Sequence, residues 1–116
     1  MELGKFATLP TAPCVIKEPE RHEPTDFIIE VHGLYSDRYR PALTACAQRN
    51  GGDTSPNLWD AEFYADLTES WKGLTDGGKA VKFSHAKAVE LYTGYPHLRF
   101  QLYNHILGLK SFLPNA

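Results

Sequence analysis

The residues best suited to chemistry in this chain are five histidines, two cysteines and a short run of carboxylates. His22, His32, His85, His97 and His105 never stand three or four apart, the helical separation that presents two imidazoles to one metal. His97 and His105 are eight apart, about two helical turns, which is too far to share an ion unaided. Cys14 and Cys46 are expected as free thiols in a reducing compartment, with a bond between them as the alternative, and neither sits in a nucleophile signature. Asp76-Gly77-Gly78-Lys79 lacks the glycine spacing and the following Ser or Thr of a phosphate loop, so it reads as a turn. Glu62, Asp66 and Glu69 share a predicted helix opposite its aromatic stripe, the arrangement of a solvated face rather than an acid/base pair. The expectation is a non-enzymatic chain with no metal and no cofactor, acting by binding.

The 116 residues suffice for one domain, and a hydrophobic fraction of 42% with 22% charged residues is that of a globular chain with a core. No apolar run approaches the roughly 20 residues needed to cross a bilayer. Met1 to Pro13 lacks the basic-then-apolar order of a secretion signal, so a cytoplasmic protein with no membrane partner is expected. A net charge of -2 argues against general nucleic-acid affinity. Charge is unevenly placed: residues 53–76 are acidic, including Asp66 and Glu69, whereas 79–116 are basic, including Lys82, Lys87 and Arg99. These are either two solvated faces or complementary patches through which copies dock.

Residues 1–13, without either period, read as a flexible N-terminal arm, and 14–116 as the single domain. Cys14–Lys17 and Phe27–His32 are predicted as antiparallel strands, with Phe27, Ile29 and Val31 on one face. Ser36-Asp37 opens a helix to about Arg49, with Pro41 tolerable only in its first turn and Tyr39, Leu43, Cys46 and Ala47 inward. Ser55-Pro56 starts a second helix running to about Lys72, along which Trp59, Phe63, Leu67, Trp71 and Leu74 form the clearest apolar stripe. Residues 74–83 read as a hairpin turned by Asp-Gly-Gly, with Val81 and Phe83 on one face. Ser84 caps a helix over His85–Thr93 with Ala86, Val89 and Tyr92 inward. The last helix opens at Tyr95-Pro96 and extends to about Leu113. Leu98, Leu102, Ile106, Leu109 and Leu113 form its core face, and Phe100, Tyr103 and Leu107 run along a second side. The fold class expected is α+β and mostly helical: about four helices, an N-terminal β-hairpin and a second short hairpin near 74–83.

The stretch Trp71-Lys72-Gly73-Leu74-Thr75-Asp76-Gly77-Gly78-Lys79-Ala80-Val81-Lys82-Phe83-Ser84 is followed by a short helix, a proline and an apolar helix ending in Ser111-Phe112-Leu113. It resembles the second half of the tail assembly chaperones of long-tailed bacteriophages. The upstream Thr25-Asp26-Phe27-Ile28-Ile29-Glu30-Val31 and Ser36-Asp37-Arg38-Tyr39-Arg40 are compatible with the first half, so the resemblance covers roughly residues 14–113. It implies a protein of the infected host's cytoplasm that keeps the tape measure protein soluble while tail tube protein polymerises around it, and that is absent from the finished virion. It also allows a longer form made by ribosomal frameshifting, of which a chain stopping at Pro114-Asn115-Ala116 is the short form.

A last helix apolar on two sides wants a companion, so client contacts are expected at Phe100, Tyr103, Leu107 and Phe112, with Trp59, Phe63, Trp71 and Phe83 as scaffold. Docking between copies is expected to set Lys82, Lys87 and Arg99 against Asp66 and Glu69. The alternatives are a structural tail or head-completion protein retained in the virion, or a small nucleic-acid binder in which Lys79, Lys82, Lys87 and Arg99 converge near Tyr92, Tyr95 and Phe100.

Overall fold

The computed structural model describes residues 2–114; Met1 of the expected arm and Asn115-Ala116 of the expected terminus lie outside the described residues. The fold is α+β. Strands β1 (Thr11–Lys17), β2 (Pro24–His32) and β3 (Thr68–Lys72) form an antiparallel sheet in the order β1-β2-β3. Helices α1 (Tyr39–Arg49), α2 (Ala61–Leu67), α3 (His85–Gly94) and α4 (Pro96–Leu107) supply the helical part, and β4 (Thr75–Asp76) pairs with β5 (Lys79–Ala80) in a separate ribbon.

Alternation along the first two strands places the core. Ala12, Cys14 and Ile16 of β1 and Phe27, Ile29 and Val31 of β2 are buried. Val15 points the other way and stays exposed, so only one face of the sheet carries helices. β1 begins at Thr11, so it takes in the last three residues of the segment expected to be an arm, Pro13 among them. A proline without an N–H is acceptable there because β1 is an edge strand.

The largest departure from the sequence reading lies between residues 55 and 72. The expected long helix is a loop, a helix of seven residues and a strand. Asp60, not Ser55, caps α2, its side chain accepting a hydrogen bond from the Phe63 N–H. Thr68 ends it: Thr68 Oγ1 donates to the Tyr64 carbonyl at 2.8 Å and shares a hydrogen bond with the Tyr92 hydroxyl at 2.9 Å. The chain then pairs with β2, Trp71 opposite Ile29 and Ser70 opposite Glu30. A separation of four between Leu67 and Trp71 fits a helical turn and also an even number of strand steps, so spacing alone did not separate the two.

Trp71 anchors an edge-to-face aromatic cluster, with ring centroids 5.9 Å from Phe27 and 5.0 Å from Phe83, and its indole N–H donates to the Val81 carbonyl at 2.8 Å. The ribbon beyond it is shorter than the expected hairpin. Gly77 and Gly78 both have positive φ, 58° and 82°, the pair of conformations that a two-residue hairpin turn of the primed type requires.

Ser84 caps α3 as expected, accepting from the Lys87 N–H, and Tyr92 is buried and Val89 packs on the core as expected, but Ala88 takes the inward place expected for Ala86, which is exposed. α4 stops at Leu107. At Gly108 the backbone becomes extended and leads into a 3-10 segment, Leu109–Phe112, that packs on β1. Leu109 and Leu113, expected inward on a longer helix, are therefore exposed.

Candidate protein-binding surface

The surface begins with the two sides of α4. Leu102 and Ile106 are buried, whereas Phe100 is 53% and Leu107 39% exposed. These two stand seven residues apart, two turns along one side, with Tyr103 half-buried between them and packed on the core. Tyr95, at the start of the helix, is 62% exposed.

Trp59, expected as scaffold in a long helix, precedes the Asp60 cap and is 76% exposed. It lies over Arg99, whose guanidinium carbon is 5.5 Å from the ring centroid. Arg99 is not a surface charge. It is buried and donates from Nη1 to the Tyr92 carbonyl at 2.7 Å, linking α4 to the end of α3. Phe100 and Leu107 therefore share one exposed side of α4, while Trp59, over Arg99, and Tyr95, at the helix start, add exposed aromatic surface at the same helix. Aromatic residues in such a setting contribute area at small entropic cost on binding.

Phe112 does not belong to this band. It is 1% exposed, its ring 5.3 Å from that of His105, and it lies so close to Gly33 that a Cβ there would come within 2.6 Å of the ring. The Phe112 carbonyl accepts from the Leu9 N–H at 2.6 Å, so the C-terminal segment is tied to the N-terminal one. Expectation placed Phe112 on a continuous helix, but the break at Gly108 turns it inward. Of the remaining scaffold residues, Phe63 is buried, and Trp71 and Phe83 are half-buried.

The charged residues expected to dock between copies are mostly engaged within the chain. Asp66 holds His85 at 2.7 Å, Glu69 holds His32 at 2.7 Å and Arg38 at 3.5 Å, and Lys87 pairs with Glu90 at 3.3 Å. Lys82 is exposed. With Arg99 buried and Lys87 paired, the four basic residues weighed for nucleic-acid binding do not converge as free charges.

A chain of hydrogen bonds that the sequence reading missed joins Ser36, His32 and Glu69. Ser36 Oγ is 2.7 Å from His32 Nδ1, and His32 Nε2 is 2.7 Å from Glu69 Oε2. With Nε2–H donating to the carboxylate, Nδ1 accepts from the serine hydroxyl, whose oxygen in turn accepts from the Arg38 N–H at 3.1 Å. The hydrogen bond from His32 holds the Glu69 carboxyl below its usual range. The chain fastens the turn before α1 to β2 and β3. A four-residue separation of His32 and Ser36 across Gly33 was its only trace in the sequence.

Cys14 and Cys46 are both free and buried, and burial pushes the Cys14 thiol up to about 11 and the Cys46 thiol upward as well. Among the described residues no cluster of three or more histidine, cysteine or acidic side chains is placed to hold a metal ion. No helix among them is long and apolar enough to cross a membrane. Comparison with known proteins finds no matching family model, no matching curated protein and no matching solved structure.

Proposed function

We propose that this chain is a phage tail assembly chaperone: it self-associates in the host cytoplasm, binds helical segments of the tape measure protein through the outer side of α4, and helps recruit tail tube protein before leaving the assembling tail. The observation that carries the reading is the uncovered apolar pair of Phe100 and Leu107 on a helix whose opposite side buries Leu102 and Ile106 in the core. An amphipathic client helix laid along this stripe takes large side chains out of water, which is the driving force such recognition uses. Within the stretch that carries the resemblance, Trp71 packs on Phe83 and donates to the Val81 carbonyl, so the two ends of the ribbon are held together.

The test is titration of overlapping segments of the tape measure protein against the wild-type chain and a Phe100→Asp/Leu107→Asp variant. Both substitutions are at exposed positions, so the variant should unfold at nearly the wild-type temperature while losing at least about tenfold in affinity. Unchanged affinity in the double variant overturns the assignment of the surface. Mass spectrometry of purified virions separates a departing chaperone from a retained tail component: stoichiometric recovery of the chain contradicts the chaperone reading.

A further inference from the structure

Arg99 carries a positive charge out of water without a counter-charge to meet it. It is only 6% exposed, and no carboxylate among the described residues stands within ion-pair distance of it. Arg49 shows the usual arrangement, its guanidinium between Asp60 at 2.9 Å and Glu62 at 3.1 Å. A guanidinium buried without such a partner is unfavourable by itself, because it has given up its hydration and gained no anion.

The donors of Arg99 are unevenly used. Nη1 serves the Tyr92 carbonyl at 2.7 Å. Nε–H is buried and has no acceptor. Nη2 lies beside Nε–H on the other edge of the planar group and donates to no described residue, yet it is not sealed off as Nε is. That edge is a fork of two parallel N–H groups, the geometry that meets both oxygens of one carboxylate. Trp59 lies over the group, its ring centroid 5.5 Å from Cζ. The ring face answers part of the charge but supplies no lone pair to the fork. The ring is held there by the turn before the Asp60 cap, where the Trp59 N–H donates to Asn57 Oδ1 at 2.7 Å. An apolar ring at this place keeps water from the fork and strengthens any ion pair formed beneath it.

We infer that Arg99, under Trp59, is a carboxylate-binding site: Nε–H and Nη2–H take the two oxygens of one carboxylate at the surface between Trp59 and α4. The ligand class follows from the charge. A single guanidinium matches a single negative charge, whereas a phosphate asks for more than one cation, and Lys87 of the adjoining α3 is already paired with Glu90 at 3.3 Å. The carboxylate arrives either as a free small acid or as an Asp or Glu side chain of a bound protein, with the same chemistry at the fork. The site goes beyond the client contact of Phe100 and Leu107 and does not depend on it.

The test is nuclear magnetic resonance of the isotope-labelled chain at neutral pH, with sodium acetate titrated against sodium chloride at constant ionic strength. A buried Nε–H exchanges slowly and gives its own resonance, assigned by its loss in Arg99→Lys and its displacement in Trp59→Ala, a change at an exposed position. Acetate is expected to move this resonance downfield and to saturate, and chloride is not. Arg99→Lys keeps the charge without the fork and is expected to bind acetate at least about tenfold more weakly, read from the Trp59 indole N–H that both chains retain. Should the lysine variant fail to fold, the wild-type titration decides alone, with Trp59→Ala making the assignment. N-acetylglutamate N-methylamide presents the group as a residue within a chain does. Tighter binding of it than of acetate supports a protein side chain as the source, and equal or weaker binding supports a free small acid. The inference is overturned if acetate and chloride move the Arg99 Nε–H alike, if phosphate moves it as far as acetate does, or if folded Arg99→Lys binds acetate like wild type. The tape measure protein takes no part in these titrations, so they fail or succeed separately from the client reading.

Discussion

Gln101 presents both ends of its amide to the backbone of Lys17: Oε1 accepts from the Lys17 N–H at 2.8 Å and Nε2 donates to the Lys17 carbonyl at 2.7 Å. The second Nε2 hydrogen serves His97 Nδ1 at 2.9 Å. A side chain from α4 thus pairs with the end of edge strand β1 as a further strand would, and covers an edge that is otherwise open to pairing with another chain. The same contact fixes how α4 lies against the sheet, and with it which side of the helix faces outward.

Gln101→Ala should therefore cost about 1–2 kcal/mol, the net contribution of two backbone hydrogen bonds in a partly exposed site. Gln101→Glu should cost more than the alanine above pH 5, because the carboxylate replaces the Nε2 donor and sets an anionic oxygen against the Lys17 carbonyl. Urea unfolding of the two variants measures the order, and equal stability of Gln101→Glu and wild type would show that the amide donor contributes nothing.

Asp60 joins the end of α1 to the start of α2. Its carboxylate takes two hydrogen bonds from Arg49, at 2.9 and 3.0 Å, one from the Asn50 side chain at 2.7 Å and one from the Phe63 N–H at 3.1 Å. Asp60→Ala should lose about 1–3 kcal/mol, since it removes an N-cap and both Arg49 hydrogen bonds and leaves the guanidinium with Glu62, at 3.1 Å, as its remaining partner. Asp60→Asn keeps the cap oxygen and should lose less, a ranking that thermal unfolding resolves.

Gly73 has φ +83°, and a Cβ there would collide with the Asp26 carbonyl of the neighbouring strand. Gly73→Ala should cost more than about 2 kcal/mol by forcing both a strained backbone and a displaced strand end. Gly77→Ala meets open space and pays only for its positive φ, so the difference between the two variants isolates the steric collision.

Burial of both thiols has a chemical readout. Cys14 and Cys46 should resist alkylation at pH 8 in the native chain, because thiolate is scarce and access is blocked, and should both react once urea unfolds it. Rapid reaction of either thiol in the absence of denaturant would show that the native core opens locally.

What was legible in the sequence is what local chemistry decides. Ser84 before His85 caps as its type dictates, Gly77-Gly78 turns as two glycines must, and Phe27, Ile29 and Val31 alternate into the core. What was not legible depended on partners distant in the chain. Residues 68–72 became a strand because β2 supplied the hydrogen bonds and Thr68 stopped the helix, whereas Leu67 and Trp71 satisfied both periods at once. On α4, the outward placement of Phe100 and Leu107 was readable from their spacing, but Arg99 was drawn inward by the Tyr92 carbonyl and Phe112 by the break at Gly108. Trp59 moved from scaffold to surface for a related reason: the helix cap lies one residue after it.

Stability should fall in two stages as pH drops from neutrality, with a different residue behind each. His105 lies half-buried against the Phe112 ring, and burial holds its pKa below the ordinary 6.5, outweighing the Ala12 carbonyl and the Glu30 charge that act the other way. The unfolded chain takes up a proton near 6.5 and the folded chain resists it, so unfolding gains as pH falls through that value. Asp60 follows at lower pH. Burial raises its pKa, but the hydrogen bonds from Arg49, Asn50 and Phe63 prevail and hold it below the ordinary 3.8. Its contribution is complete above 3.8 and is lost as pH falls through the folded value. Equilibrium urea unfolding between pH 3 and 8 should show both slopes. In His105→Leu the slope around pH 6 should flatten while the acid limb remains, and in Asp60→Asn the acid limb should shrink while the slope around pH 6 remains. A wild-type profile flat from pH 8 to 5 would rule out the buried histidine as a source of pH dependence.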